Sequence, residues 1–255
     1  MKISFIGAGH VAWHLAQALE NAGNSVQEVF SRDPKKAKEV VSFCYNAQVQ
    51  EHLDFSESTS DVFFLCIPET AYAQVLSELL LPKYGTLVLV SGTAALAEAM
   101  VMYDPMRESM NQMGVFFPVQ QLSTGRKISL AHMPICIEVL VEETEVTLVS
   151  LAKDISDAIY VVSGEERKKI FLAMQMAGVF TNQLWTQAKQ LLDSIDLDTH
   201  LIQGVVENHM KAFFTQQAIP SAPIQLNYET LAFLEKPEMQ EIYKQMVLLS
   251  QRPLI

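Results

Sequence analysis

The sequence predicts the α/β class: a doubly wound parallel sheet followed by an all-helical second domain. Three observations carry this. Short apolar runs alternate with helical patterns through the first part of the chain. The first run ends in a glycine turn that opens directly into an amphipathic helix. From Ser163 onward the pattern is helical only.

The elements follow in order. Ile3 to Ile6 form a short apolar run that stops at Gly7, and Val11, Leu15, Ala18 and Leu19 then mark one side of a helix. Residues 25–30 read as the second strand. Asp33 and Pro34 open the next helix as N-cap and first helical residue, and a short strand is expected at 47–49. Residues 62–67 are continuously apolar, as a central parallel strand buried on both faces requires, and Pro68 ends them. A helix over 72–81 leads to a buried strand at 86–90, which ends at Ser91, Gly92 and Thr93. Further strands are expected at 115–117, 135–137 and 159–162, with a helix over 143–155.

Ser163 and Glu166 have capping-box spacing. Ile170, Met174, Ala177, Thr181, Leu184, Trp185, Ala188, Leu191 and Leu192 then recur at threes and fours. Helices over 198–217, from Asn227, and over 238–250 complete the chain, with Pro220 and Pro223 between the first two. The expected domains are therefore 1–162 and 163–255, the second for substrate binding and dimer formation.

The composition bounds the function. The 255 residues, 49% of them hydrophobic, can build one large core or two ordinary ones. A formal net charge of −11 repels nucleic acid and anionic membranes, so neither is an expected partner. Cys44, Cys66 and Cys136 are odd in number and form no C-x-x-C pair, so neither a disulfide framework nor a zinc site is expected. No apolar leader precedes the first strand, and no apolar stretch approaches the roughly 18 residues of a bilayer span. A cytoplasmic protein is the expectation.

Gly7, Ala8, Gly9, His10, Val11 and Ala12 fit the pattern G-x-G-x-x-G/A between a strand and a helix, the context of a dinucleotide site of Rossmann type. Gly7 permits the tight turn, Gly9 lets the backbone approach a pyrophosphate, and Ala12 lets the helix pack close to the strand. The helix start offers free N–H groups and its positive end to phosphates. The competing reading is a glycine turn with no ligand. In an NAD site the second strand ends in an acidic residue that grips the ribose 2′-hydroxyl. Here it ends at Ser31 and Arg32, with Lys36 one helical turn on. A neutral Ser31 and a cation that stacks on adenine and pairs with a 2′-phosphate favour NADP. Alternatively, Arg32 and Lys36 form an ordinary solvated face. Glu28 would serve as the ribose acid only if the strand ended three residues earlier. The strand ends at Cys66, Ile67, Pro68, Ser91 and Gly92 are expected to line the same crevice, or to be plain turn residues.

At these residues the chain resembles a known group. Gly7-Ala-Gly-His-Val-Ala, Phe30-Ser-Arg-Asp, Ser91-Gly92, Gly114-Val-Phe-Phe-Pro-Val-Gln120 and Val179-Phe-Thr-Asn-Gln-Leu-Trp185 are similar to a family of NADP oxidoreductases. Its members join a Rossmann-like domain to a C-terminal helical domain of unknown function. In plan they resemble pyrroline-5-carboxylate reductases, deazaflavin-dependent NADP oxidoreductases and the 6-phosphogluconate dehydrogenase group. The resemblance implies an NADP-binding homodimer, paired through its C-terminal helices, whose substrate pocket lies between the carboxyl edge of the sheet and the long helix. The chain departs from the pattern in polar groups. Phe117 stands where a histidine or tyrosine is expected, and Val179 where another asparagine is common. Ser221-Ala-Pro-Ile224, with Leu226 and Tyr228, replaces a Thr-Gly-Pro-Ala segment followed by arginine and aspartate.

The expected activity is reduction of a small imine or carbonyl compound, the nicotinamide supplying the hydride. Ser91, Gln120 and Asn182 are the candidate orienting groups, with Gln120 and Asn182 on the substrate. Each has a bland alternative: a turn hydroxyl, a loop amide and a helix-surface asparagine. His132 is the remaining general-acid candidate. His10, four residues before His14, is expected to contact phosphate or ribose rather than a metal, and no metal site is expected. Two other classes compete. One is a dinucleotide-binding sensor or scaffold without catalysis, which the polar losses favour. The other is a methyltransferase, which the turn running straight into the helix and the Ser31–Arg32 pair disfavour.

Overall fold

The computed structural model describes residues 1–104, 112–123, 125, 128–215 and 226–250. Ser221 to Ile224, the two proline positions 220 and 223, and the predicted helix end at 216–217 lie outside them. The chain divides into two compact units, Met1–Ala177 and Gly178–Ile255.

The first unit begins with β1 (Lys2–Ile6), α1 (His10–Asn21), β2 (Ser25–Phe30), α2 (Pro34–Val41) and β3 (Gln48–Gln50). It continues with β4 (Val62–Leu65), α3 (Tyr72–Glu78), β5 (Thr86–Leu89), α4 (Leu96–Tyr103) and β6 (Gln112–Pro118). β7 (Ile135–Val139), α5 (Glu142–Ile155), β8 (Ile159–Val161) and α6 (Gly164–Met174) close it. The eight strands form one sheet in the order β3-β2-β1-β4-β5-β6-β7-β8. The first six repeat the 3-2-1-4-5-6 order of dinucleotide-binding sheets, with the switch point between β1 and β4.

One pair departs from the expected parallel sheet: β7 runs antiparallel to β6. A parallel return needs a crossover element on one face, and the described residues linking β6 to β7 form none. α5 then provides a crossover, and β8 lies parallel to β7.

Side-chain alternation divides the core between the two faces. On one face Ile3, Phe5, Phe64 and Phe116 pack with Ala12, Leu15 and Leu19 of α1 and with Leu148 and Leu151 of α5. On the other, Ile6, Phe63, Leu65 and Leu87 pack with Leu76 of α3 and Ala99 of α4. Phe5 stacks on Phe64 at 5.4 Å, and Phe116 meets Phe64 edge-on at 5.5 Å. Each such pair adds about 0.5–1.5 kcal/mol beyond its burial.

Local signals held at several helix starts. Asp33 caps α2 by accepting from the Lys35 backbone N–H at 3.0 Å, with Pro34 first in the helix. Ser163 and Glu166 form the reciprocal capping box of α6. The helix expected over 72–81 ends at Glu78, and a 3-10 turn, Glu69–Ala71, precedes it. α4 has no counterpart among the sequence-predicted elements. Leu96 and Ala99 are buried, but Met100, Val101 and Met102 are exposed, so no clear one-sided stripe marks it.

The second unit holds α7 (Thr181–Asp193), α8 (His200–Thr215), α9 (Tyr228–Leu231) and α10 (Pro237–Ser250). A π-helical turn, Gln175–Phe180, separates α6 from α7 where one long helix is expected. Among the described residues of this unit only Ala212, Leu231 and Val247 are buried hydrophobics, whereas Phe213, Phe214 and Phe233 are 69%, 76% and 72% exposed.

Candidate functional site

The site is built first from backbone. Gly7 has φ +104°, and its N–H donates to the Phe30 carbonyl at 2.8 Å. A Cβ there would sit 2.3 Å from the Cys66 carbonyl oxygen, so β1 and the end of β4 meet only through a glycine. Gly9 differs. A Cβ there would meet nothing within 4 Å, so no protein atom requires a glycine. Gly9 is the N-cap of α1, makes no side-chain cap, and is followed by a first turn without an acidic residue. The helix therefore presents uncapped N–H groups and its positive end beside open space, the requirement for holding a diphosphate. Ala8 and Val11 are half-buried, Gly9 and His10 are exposed, and Ala12 is fully buried against the sheet.

His10 shares a cavity of about 450 Å³ with Gln120, Gln121, Leu122, Ser123 and Ile128. The chain leaving β6 thus comes back over the start of α1, where His14 Nε2–H donates to the Ser123 carbonyl at 2.9 Å. The structure brings Gln120 and the glycine turn together.

At the end of β2, Ser31 accepts from the Asp33 N–H at 3.2 Å, and Arg32 and Lys36 are exposed. The strand runs to Phe30, which removes Glu28 as a ribose ligand. Its carboxylate instead accepts from the hydroxyls of Ser4 and of Ser58, the latter at 2.6 Å. Among the described residues, the strand end itself is Phe30-Ser31-Arg32, without an acidic side chain in the NAD position.

The ends of β4 and β5 are closed by side chains. Cys66 and Ile67 are half-buried and Pro68 is exposed; burial pushes the Cys66 thiol up. Ser91 is buried. Its hydroxyl donates to Glu69 Oε1 and accepts from the N–H groups of Thr93 at 3.0 Å and Ala94 at 2.9 Å. One proton and two lone pairs are thereby all engaged. The Thr93 hydroxyl donates to the same Glu69 oxygen. Gly92 lies under the Phe171 ring, where a Cβ would come within 2.2 Å of a ring carbon, and Phe171 packs on Phe117 at 6.0 Å.

Arg167 explains why α6 sits here. Its side chain is 0% exposed. Nε and Nη2 reach Glu138 Oε2 at 3.0 and 2.7 Å, Nη1 donates to the Ser91 carbonyl at 3.0 Å, and Nη2 donates to the Ala94 carbonyl. The planar fork ties the end of β5 to β7. Tyr72, also buried, has its hydroxyl enclosed beside Ser91; burial and then the Glu69 carboxylate hold its phenol well above the usual range.

His132 is exposed, pairs with Asp157 at 2.7 Å on the surface, and does not line the cavity holding His10 and Gln120. Asn182 belongs to the second unit, exposed on α7, its carbonyl accepting from Thr186 at 2.8 Å. Sequence reasoning missed Glu69, Arg167, Glu138 and Phe171. Glu69 directly follows Pro68 at a strand end, but its hydroxyl partners lie far along the chain. Arg167 lies within Glu-Glu-Arg-Lys-Lys, which has the composition of a solvated helix face.

The strand order, the glycine turn at the switch point and the bare helix start define a Rossmann-like fold of the oxidoreductase kind. Comparison with known families agrees. Residues 2–95 match the family described as NADP oxidoreductase coenzyme F420-dependent, and residues 133–249 match the domain of unknown function DUF2520. The chain matches these two domain models in that order, and its motifs resemble those of NADP oxidoreductases. Among solved structures, a candidate NADP oxidoreductase from Bacteroides fragilis is 22% identical, with a TM-score of 0.81 over 98% of this chain and 97% of that one. An imine reductase from Myxococcus stipitatus in complex with NADP+ is 15% identical, with a TM-score of 0.63 over 98% and 94%. A reductive aminase from Aspergillus terreus in complex with NADPH and ethyl-5-oxohexanoate is 15% identical, with a TM-score of 0.67 over 98% and 93%. At these identities the likeness is one of fold. No curated protein matches the chain. Among the described residues no helix is long and apolar enough to cross a membrane.

Proposed function

We propose that the chain binds NADP and transfers hydride to a small imine or carbonyl compound. The observation that carries this is Gly9: the protein gives no internal reason for a glycine there, and the adjacent helix start is uncapped. The main chain from Gly7 to Val11 would hold the diphosphate, with His10 and Gln120 at its border. Ser31, Arg32 and Lys36 would hold the 2′-phosphate, and Cys66, Ile67, Pro68, Ser91 and Gly92 would wall the nicotinamide half. Bound NADPH would supply the hydride; the protein's part is to place the acceptor and exclude water. Ser91, with its hydroxyl engaged, acts by position. Asn182 and His132 remain proposals for substrate orientation and proton supply. We assign residues 163–255 to substrate binding and pairing of two copies. The few buried apolar residues of the second unit support the pairing, since a helical layer must bury its stripe against something. A reducing, cytoplasmic setting suits its free cysteines.

Thermal shifts with NADPH and NADH test the cofactor. At a hundred times the dissociation constant, NADPH should add about 2.7 kcal/mol, and NADH much less at the same concentration. Arg32→Ala should weaken NADPH about ten-fold or more while leaving NADH unchanged, as loss of a charge-assisted contact predicts. Equal shifts for both nucleotides sink the 2′-phosphate assignment.

The second reading, a nucleotide-binding sensor or scaffold without catalysis, is favoured by the aromatic contact of Phe117 and Phe171 over Gly92. NADPH that binds but is oxidised by no member of an imine and keto-acid panel would select it.

A further inference from the structure

The two mononucleotide halves of a dinucleotide site divide between the two halves of the sheet, so the nicotinamide half and the hydride acceptor belong over the ends of β4, β5 and β6. The charge balance at that edge is unusual. Arg167 is fully buried and neutralised by Glu138. Glu69 is exposed, and its Oε1 is fixed by the hydroxyls of Ser91 on one side and Thr93 on the other. Among the described residues Glu69 makes no ion pair, and Oε2 has no partner. Among the described residues of the first unit, Glu69 therefore stands as a positioned negative charge at that edge.

Proton donors at the ends of β4 and β5 are already committed. The protons of Ser91 and Thr93 go to Glu69, and the Tyr72 hydroxyl is sealed from solvent. Acceptors differ in what they need here. Hydride added to a carbonyl carbon sends the C=O π pair to oxygen and leaves an alkoxide that must take a proton. Hydride added to the carbon of a protonated imine sends the C=N π pair to nitrogen and leaves a neutral amine, with no proton required. A carboxylate also favours the cationic acceptor and disfavours a developing oxyanion.

We propose that Glu69, held by Ser91 and Thr93 between the ends of β4 and β5, is the specificity-determining residue that admits a cationic acceptor, a protonated imine, over a carbonyl compound. This rests on the oxidoreductase reading above and names its substrate class.

The test uses the full-length protein loaded with NADPH, loading being followed by nucleotide fluorescence. The probes are pyrrolidine, a cation at neutral pH that cannot accept hydride, and tetrahydrofuran, its neutral isostere. Titration calorimetry should show pyrrolidine binding at least ten-fold tighter than tetrahydrofuran. Glu69→Gln should abolish that preference while NADPH affinity stays within about two-fold, and Thr93→Val, which keeps the charge, should retain it. Equal binding of the two probes, no binding of pyrrolidine, or an unchanged preference in Glu69→Gln overturns the proposal with the cofactor reading intact. Failure of NADPH itself to bind overturns both.

Discussion

Gly9 follows β1, Gly92 follows β5, and the two are glycines for opposite reasons. At Gly9 an added Cβ points into open space; at Gly92 it would come within 2.2 Å of the Phe171 ring. The first region is bare main chain beside an uncapped helix. The second is filled by the protein's own side chains: Phe171 over Gly92, Arg167 across the carbonyls of Ser91 and Ala94, and Glu69 on two hydroxyls. Open space at a glycine is not distinctive by itself, since Gly23, Gly125, Gly178 and Gly204 have it too; at Gly9 it coincides with an uncapped helix start at the sheet's switch point. A glycine whose absent side chain is replaced by a neighbour is part of the scaffold. The contrast separates a position open to a ligand from one filled by packing.

The sharpest way to break this comparison is at Arg167. If the β5 end is scaffold, Arg167→Ala leaves Glu138 and two carbonyls without their partner and should destabilise the fold by about 3–5 kcal/mol, read from denaturant midpoints. Replacing both Arg167 and Glu138 by Met should recover most of the loss, because the unpaired charge is then gone. A loss below about 1 kcal/mol for Arg167→Ala would mean that the fork is not holding α6 to the sheet.

The two glycines of the first turn sharpen the comparison further. Gly7→Ala combines a left-handed φ with a backbone overlap and should cost about 2–4 kcal/mol. Gly9→Ala has φ −81°, which alanine adopts freely; the unfolded-state gain of about 0.4–1 kcal/mol is offset by alanine's being the poorer N-cap, so the unliganded protein should change by less than about 1 kcal/mol. The same variant should lose NADPH binding, because its methyl group would occupy the space facing the helix start. Near-unchanged stability with a fall in affinity is the signature expected of a ligand-reserved glycine. If affinity does not fall, the open space at Gly9 serves no nucleotide.

These residues also show where the sequence was legible. The alternation of strands and helices followed from the hydrophobic periods, and the turn from its glycine spacing, because both are local consequences of backbone geometry. The antiparallel β7 was not legible, since direction depends on whether the connection forms a crossover. Arg167 was hidden because a buried cation among charged neighbours has the composition of a surface; only the approach of β7 and the β5 end shows it to be enclosed. Glu69 was hidden in another way, since its two hydroxyl partners lie more than twenty residues along the chain. Of the proposed site, the parts legible in the sequence are those built by one turn of chain, and the parts that were not are built where distant strands end together.

Another small effect is expected at the start of α6, the helix that carries Arg167 to the sheet. The Ser163 hydroxyl accepts from the Glu166 N–H at 3.3 Å, and Glu166 Oε2 accepts from the Ser163 N–H at 2.8 Å and from its hydroxyl at 2.7 Å. Removing the cap with Ser163→Ala should cost about 1 kcal/mol, measurable by denaturation and as faster amide exchange in the first turn of α6. The Ser163 backbone N–H, and then its hydroxyl, hold the Glu166 carboxyl below the usual carboxylate range. Because the folded pKa is the lower one, this stabilisation is present above the ordinary glutamate value and fades as pH falls through the depressed one. The difference between wild type and Ser163→Ala should therefore be largest near neutrality and narrow in acid. A gap that widens on acidification would show that the hydroxyl steadies the helix without the carboxylate, and that the box is not what fixes the approach of Arg167.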